Sequence, residues 1–508
     1  MGRPPRSGGN SVRPRTPTPA AAHLFQKNGR ALLFDPCTST SFALDAAGEV
    51  AAREMLGARP ARNGVSRAEL AAARRELHGL CSRGHFGEFQ PPLVPLHPLR
   101  IGFPMPVISR ACNLRCRYCF VNRAGPLHMS REVMQAIAVL TAKRALRDGM
   151  SSHTVWIGSV GEPTAYLPQY FEFRELLEAE GRKHGVTLTT GIGITNGTTT
   201  GDPAVCAWLD ESQASGHAAR VSLDGPPEAH DAIRVHADGR GTYADVLAGI
   251  AAMRQRGLDP GVSATLTASF PDVCGVYFQL LGLGFDDVVV NRVRARPEQP
   301  YYLGSALDAI CAGYDRFAQR LLDLPEDKMA QALRAITKSA GVDYFARFIL
   351  RVAGRHILTR RCEAWIERVV ADTDGRLYGC ESFLGVPEAC IGSVWDGVDE
   401  ARVQELYAAL HISRRLPCKD CWARFLCGGG CMHQSYLTFG ELFPPDPAEC
   451  ALNQHLIELA ILFYAELKEK RPAVLAELQR SLPSGPTQQA EPSPKGPGEP
   501  AARPIARE

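Results

Sequence analysis

From residue 30 onward, apolar positions fall into short runs whose period switches between two and 3.6. Residues 31–34 and 41–44 read as short strands joined by an Asp35-Pro36 turn. Around 48–56 and 66–83 the pattern turns helical, with Leu70, Leu77 and Leu80 on one face of the second stretch. Between about 100 and 300, strand-like segments recur at 101–109, 154–157, 187–194, 219–223, 262–267 and 287–290. Helical stretches such as 131–147 and 243–256 separate most of them. Alternating strands and helices predict a parallel sheet with crossover helices, either open or closing toward a barrel. Residues 303–355 read as mainly helical, and 362–450 hold few long periodic stretches. A helix is expected from about 447 to 470, with more helix to 482 beyond the break that Pro472 suggests.

Composition fills in the ends. At 508 residues and 45% hydrophobic content, the chain has room for two or three domains with real cores. The first 25 residues are rich in Arg, Pro, Thr and Gly and lack an apolar centre, which reads as a disordered arm rather than a signal peptide. Pro483, Pro486, Pro492, Pro494, Pro497 and Pro500 mark a second disordered end. The net charge of +3 is small for this length and points to neither nucleic acid nor an acidic polymer as partner. No apolar run approaches the roughly 18–20 residues needed to span a bilayer. The longest, 456–464, carries Glu458. A soluble, cytoplasmic protein without a membrane partner is expected.

Sixteen cysteines change the picture. Three lie at 112–119 and eight between 362 and 450, and without an export signal this clustering favours metal ligation over disulfides. Cys112-x3-Cys116-x2-Cys119 follows the first strand of the alternating region, where βα barrels collect their active sites. Three thiolates satisfy three irons of a cubane cluster and leave the fourth without a protein ligand, as a catalytic centre needs. A zinc site short of one ligand is the alternative.

With aromatic Tyr118 before its last cysteine, the triad resembles the signature of radical S-adenosylmethionine (SAM) enzymes. The resemblance implies that Cys112, Cys116 and Cys119 hold a [4Fe–4S] cluster whose open iron chelates SAM, which is cleaved to a deoxyadenosyl radical. Further motifs follow in order. Gly161-Glu162-Pro163 resembles the second-strand loop that receives the SAM amino group, although it departs from the commoner double-glycine form. Asn196 ends a strand as in the family's fourth strand, and its plain reading is an Asn-Gly turn. Ser222-Leu223-Asp224-Gly225-Pro226, then His230-Asp231 and Arg234, resembles the stretch after the fifth strand. By that likeness Ser222 lies near the ribose and Arg234 helps hold the carboxylate, whereas a plain reading makes Arg234 a surface or salt-bridged residue.

The later cysteines read Cys362-x12-Gly375-x4-Cys380, then Cys418-x2-Cys421-x5-Cys427-x3-Cys431, then Cys450. This order resembles the SPASM domain, the auxiliary-cluster domain of radical SAM enzymes that act on peptides and proteins. The likeness implies one auxiliary [4Fe–4S] cluster on Cys418, Cys421, Cys427 and Cys450 and another on Cys362, Cys380 and Cys431, three clusters in all. His356 stands where sulfatase maturases supply a further cysteine. It and Cys390 are candidate fourth ligands of the second auxiliary set. Glu381 stands where those enzymes place a proton-accepting Asp, which puts sulfatase maturation in doubt; a carboxylate without a catalytic part is the plain reading. The other five cysteines share no spacing.

The expected architecture is α/β: a disordered arm over 1–27, a small α+β module over 28–95, a partial (β/α)6 barrel over 96–300, a helical bridge over 301–355, a SPASM domain over 356–455, a C-terminal helix over 456–482 and a tail over 483–508. The expected activity is peptide maturation, forming a thioether or carbon–carbon cross-link in a ribosomally made peptide. The N-terminal module resembles leader-recognition domains, which bind by adding a strand to a sheet edge. The alternatives are a maturase of a protein substrate, making formylglycine in a sulfatase or cross-linking a dehydrogenase subunit, and a non-catalytic iron–sulfur or zinc scaffold. The resemblance also implies an electron donor such as flavodoxin or ferredoxin.

Overall fold

The structure, a computed structural model, describes residues 22–482 apart from 62–63, 88, 90, 92, 94–101, 122–126, 158–159, 215–218, 340–341, 363 and 481. The expected tail over 483–508 and most of the arm over 1–27 lie outside the described residues. The arm ends earlier than its composition suggests. Strand β1 (His23–Lys27) pairs antiparallel with β2 (Arg30–Asp35), which pairs with β3 (Thr40–Leu44). Phe25 is buried and Asn28 and Gly29 make the turn with positive φ, so an end read as an arm is an edge strand instead. Helices α1 (Ala46–Met55) and α2 (Arg67–Ser82) close this module. Asp45 caps the first, and Ser66 with Glu69 forms a capping box on the second.

The alternating region builds the curled half-barrel that its pattern predicts. Its strands are β4 (Pro104–Pro106), β5 (Ser152–Ile157), β6 (Thr187–Ile192), β7 (Ile194–Thr195), β8 (Arg220–Ser222), β9 (Gly261–Leu266) and β10 (Val288–Arg292). Helices α3 (Arg131–Arg147), α4 (Leu167–His184), α5 (Pro203–Ala214), α6 (Pro227–Asp231), α7 (Tyr243–Gln255) and α8 (Val273–Gly282) run between them. β5 and β6 are parallel, as are β7, β8, β9 and β10 in turn. Gly193 joins the two groups: its N–H donates to Ile157 O (2.8 Å) and its carbonyl accepts from Arg220 N (3.1 Å). The apolar β strands are buried against the helices, with Val221, Val262, Val288 and Val290 fully enclosed.

Beyond β10 come α9 (Leu307–Asp323), α10 (Glu326–Thr337) and α11 (Tyr344–Ala353), then β11 (Val369–Ala371), β12 (Arg376–Tyr378), β13 (Cys390–Ser393) and β14 (Gly397–Val398). Helices α12 (Glu400–Leu410), α13 (Arg424–Cys427), α14 (Met432–Phe439), α15 (Pro447–Lys470) and α16 (Pro472–Arg480) complete the chain. The first barrel strand is shorter than the sequence suggests, because Pro104 and Pro106 carry no N–H for a ladder. It pairs with β11, so barrel and cysteine-rich region share the sheet β14-β13-β12-β11-β4. The buried ion pair of Arg110 with Asp372 reinforces that seam two residues before Cys112. No helix of the described residues is long and apolar enough to cross a membrane.

The N-terminal sheet is fastened to the C-terminal helix by charge and stacking. The His23 ring lies on the Trp422 indole, centroids 3.6 Å apart, and Arg30 reaches Glu466 at 2.6 Å. Asp315 of α9 meets both Lys27 Nζ (2.9 Å) and His455 Nε2 (3.0 Å). Burial alone would lower the His455 pKa, but Asp315 and Cys311 together outweigh it and raise the group from 6.5 to about 9. A raised histidine stabilises the fold fully below its unfolded value, and the gain disappears as pH rises through the folded value. The contact of α9 with α15 is therefore expected to weaken between about pH 6.5 and 9, by on the order of 1–2 kcal/mol after solvent screening. Hydrogen exchange of the α15 amides around His455, corrected for its intrinsic rise with pH, should lose protection across that range in the native protein and show a flatter dependence in His455→Asn.

Candidate functional site

Cys112, Cys116 and Cys119 lie on the loop that leaves β4, at the C-terminal end of the half-barrel strands. The loop is shaped from below. Gly161 holds φ +71°, and a Cβ there would stand 2.3 Å from Ser109 O and 2.7 Å from Ala111 O. Only glycine lets the turn after β5 rest on the chain that enters Cys112. Glu162 then donates its N–H to Ala111 O (2.9 Å), and Pro163 opens a short 3-10 turn.

The buried Glu162 carboxylate collects four donors. Oε1 accepts from Thr164 N, Thr164 Oγ1 (2.6 Å) and Thr195 Oγ1 (2.8 Å); Oε2 accepts from Asn196 N (2.6 Å). Burial raises its pKa, and these hydrogen bonds oppose the rise. Asn196 turns its amide to Asn113 Oδ1 (2.8 Å) and to Cys112 Sγ (4.0 Å), while Asn113 donates to Thr198 Oγ1 (2.9 Å). The second and fourth motifs therefore meet at the first cysteine. Asn113 and Thr164 are members the motif reading missed.

On the other side of the loop, the Tyr118 hydroxyl donates to Asp224 Oδ2 (2.6 Å) and accepts from Arg234 Nη1 (2.7 Å). Asp224 Oδ1 also accepts from Thr265 N (2.9 Å), which ties the loop to β9. Arg234 is buried rather than on the surface, and its Nε has no hydrogen-bond partner among the described residues. Ser222 is buried at the end of β8. His230 accepts from Asp224 N (3.1 Å) and meets Thr242 Oγ1 (2.9 Å); burial lowers its pKa to about 3, so it stands neutral as a strut. Burial raises the Cys112 thiol to about 11, with lesser contributions from Glu162 and the other two thiols of the triad. Three thiols, an unpartnered guanidinium nitrogen and a shaped floor fit a three-thiolate cluster with SAM beside it.

The later cysteines form two neighbourhoods. Cys418, Cys421, Cys427 and Cys450 influence one another electrostatically. Gln454 Nε2 donates to Cys421 Sγ and Asn453 Nδ2 to Cys427 Sγ, both at 3.5 Å. Asn453 and Gln454 follow Cys450 by three and four residues on α15, the spacing that puts side chains on one helical face. That spacing was available in the sequence. Cys362, Cys380 and Cys431 make the second neighbourhood, with Arg368 and Arg361 beside them.

Neither proposed fourth ligand joins it. The His356 ring packs on Gly354 and its carbonyl accepts from Ser39, while Cys390 donates to Gly392 O (3.4 Å). Glu381 is ion-paired to Arg368 (2.7 Å), and its Oε2 accepts from Cys380 Sγ (3.5 Å). None of the sixteen cysteines forms a disulfide. Among the described residues, no three His, Cys, Asp or Glu side chains close tightly enough to hold a single metal ion.

Glu449 links the two neighbourhoods. Its Oε2 accepts from Cys431 N (2.8 Å), and its Oε1 faces Arg361 (3.3 Å), Arg294 (3.5 Å) and Arg292 (4.0 Å). Burial would raise this carboxyl, but Arg361, Arg294 and Arg292 outweigh it and lower the pKa to about 2. Glu449→Gln keeps the shape and removes the only carboxylate these arginines share in those contacts. The expected cost in denaturant unfolding of the metal-free protein is roughly 3–5 kcal/mol. Adding Arg361→Met should recover part of it.

Residues 107–272 match the family model described as the Radical SAM superfamily. The chain is 25% identical over 360 residues to a serine-type anaerobic sulfatase-maturating enzyme of Klebsiella pneumoniae, covering 66% of this chain and 83% of that one. It is 22% identical over 351 residues to a cysteine-type anaerobic sulfatase-maturating enzyme of Clostridium novyi, covering 65% and 87%. The fold is similar to that of native anSMEcpe with bound AdoMet and Kp18Cys peptide: TM-score 0.56 and 18% identity, over 74% of this chain and 99% of that chain. The half-barrel, its loop of three cysteines and the family match together identify residues 107–272 as a radical SAM domain.

Proposed function

We propose that this chain is a radical SAM maturase that oxidises a residue of a polypeptide substrate, in the manner of a sulfatase-maturating enzyme. The observation that carries the reading is the closure of Glu162–Asn196 and Tyr118–Asp224–Arg234 around the Cys112–Cys119 loop. A non-catalytic scaffold has no use for these contacts. With a [4Fe–4S] cluster on Cys112, Cys116 and Cys119 and SAM bound beside it, the site would supply a 5′-deoxyadenosyl radical for hydrogen abstraction.

The chain's own groups then have distinct parts. Arg234 Nε is a buried donor left for the SAM carboxylate, held by Tyr118 and Asp224. Glu162, with Gly161 and Pro163, forms the wall that receives the amino group, and Ser222 faces the ribose. Cys418, Cys421, Cys427 and Cys450 hold one auxiliary cluster, and Cys362, Cys380 and Cys431 hold another. The amide donors on Cys421 and Cys427 support the first assignment.

Glu381 is proposed as the acceptor of the substrate's proton. Arg368 keeps its Oε1 occupied, and once Cys380 is a thiolate, Oε2 has lost its donor and is left as an acceptor. The longer arm than Asp is offset by that anchoring. An external one-electron donor of the flavodoxin or ferredoxin kind and a reducing, cytoplasmic setting complete the proposal.

A second reading keeps the cross-linking of a leader-bearing peptide. It is favoured by β3, which pairs only with β2 among the described residues and so presents an edge for strand addition. The two readings differ in product. Anaerobically reconstituted protein should release 5′-deoxyadenosine from SAM, and Cys116→Ala should reduce release to background; release unchanged by that substitution would overturn both. A serine peptide of sulfatase type should lose two hydrogens and become trappable by hydrazine, since an aldehyde forms. A product that loses two hydrogens but resists trapping, and needs its leader, would replace the first reading with the second.

A further inference from the structure

Arg415 poses a problem of unbalanced charge. It lies three residues before Cys418 and is 3% exposed. Its Nε, Nη1 and Nη2 all lack a hydrogen-bond partner among the described residues, and no carboxylate pairs with it there. The guanidinium sits 4.9 Å from the centroid of the Phe443 ring, and a single aromatic face does not replace the hydration of a buried cation. A buried, unpartnered guanidinium is among the costliest groups a fold can carry, so its partner must enter with something else.

Its surroundings say from which side. Gly429, in the glycine run between Cys427 and Cys431, has φ +86°. A Cβ built there would lie 2.4 Å from Arg415 Nη1 and 3.8 Å from Cys418 Sγ. Arg415 and the Cys418 thiol therefore face one another across a single glycine. Cys421 and Cys427 have amide donors from Gln454 and Asn453, whereas Arg415 faces Cys418 without a hydrogen bond to it.

We propose that Arg415 is the buried counter-charge of the iron–sulfur cluster held by Cys418, Cys421, Cys427 and Cys450, and that it raises that cluster's reduction potential. The inference rests on the reading of those four cysteines as an auxiliary-cluster site. Four thiolates around a cubane leave a net negative charge, and reduction adds one more. A fixed cation nearby favours the reduced state, and low dielectric strengthens the effect. Arg415 is a positioning residue in this sense: it touches no substrate and sets how readily the centre accepts an electron. Gly429 belongs to the same device, because any side chain there would displace the guanidinium.

The test uses full-length protein in which Cys112, Cys116 and Cys119 are replaced, so that auxiliary centres alone are read. Redox titration followed by electron paramagnetic resonance should show one signal moving to lower potential in Arg415→Met. The expected shift is at least tenfold in the reduction equilibrium, or 59 mV for one electron. The signal that moves should be the one lost in Cys421→Ala, and Arg415→Lys should return it toward the native value. The metal-free protein supplies a second readout: Arg415→Met should melt higher than native, because it removes an uncompensated charge, and the order should reverse after cluster loading. Full iron content with unmoved potentials in Arg415→Met would sink the counter-charge role. Absence of iron from the native auxiliary sites would instead sink the cluster reading beneath it.

Discussion

A carboxylate at the start of one helix holds the cysteine-rich region together. Glu449 stands in the first turn of α15, where Asp446 caps the helix by accepting its N–H (2.8 Å) and Pro447 fills a first-turn position. The position suits a negative group, because the unpaired N–H groups of a helix start carry partial positive charge. From there Glu449 accepts the N–H of Cys431 and faces Arg361, whose sequence neighbour is Cys362. Its own neighbour is Cys450, and one turn on come Asn453 and Gln454 with their amides on Cys427 and Cys421. Two turns of helix therefore touch both cysteine neighbourhoods. A buried charge with such connections stabilises by arrangement, since each guanidinium around it would be costly alone.

The same economy of elements joins the domains. Because β4 pairs with β11, the loop bearing Cys112 and the segment bearing Cys380 leave one sheet. The Arg110–Asp372 pair closes that seam from the barrel side. The N-terminal sheet is built in as well: His23 stacks on Trp422, the residue after Cys421, and Arg30 grips α15 further along. Motion of the sheet would be felt at the four-cysteine neighbourhood through Trp422, on which His23 stacks and against which Phe34 sits edge-on. A substrate bound at the β3 edge would thus sit on a sheet in direct contact with the cysteine region.

Much of this was legible in the residues because the signals are local. Alternating runs named the half-barrel strands, cysteine spacing grouped the thiols into the neighbourhoods they form, and Asp446, Pro447 and Glu449 mark a helix start. What escaped depends on long-range partners. The strand His23–Lys27 follows a polar, Pro-rich stretch and earns its order from β2, Trp422 and α15. The pairing of β4 with β11 spans most of the chain, and Pro104 and Pro106 argued for less strand rather than for a distant mate. His356 looked like a ligand by its position, yet a left-handed Arg355 and the packing on Gly354 put it elsewhere. The arginines at 292, 294 and 361 carry no spacing rule, because they converge from two distant segments on the carboxylate of a third.

Charge also divides the molecule in a way that bears on electron flow. Close to the Cys112–Cys119 loop the buried charges are Glu162, Asp224 and Arg234, an excess of negative groups. Around the later cysteines the buried charges are Arg292 and Arg415 against Glu449, with half-buried Arg294 and Arg361 beside them, an excess of positive ones. On the proposed cluster assignments, negative surroundings make the first centre harder to reduce and hence a stronger reductant, as cleavage of SAM demands. Positive surroundings make the later centres better electron acceptors. An electron released when a substrate radical becomes product then has a downhill direction set by fixed side chains. The two halves need no moving part for this. The shared sheet joins them directly, and on these assignments the arginines gathered on Glu449 would set the difference in potential.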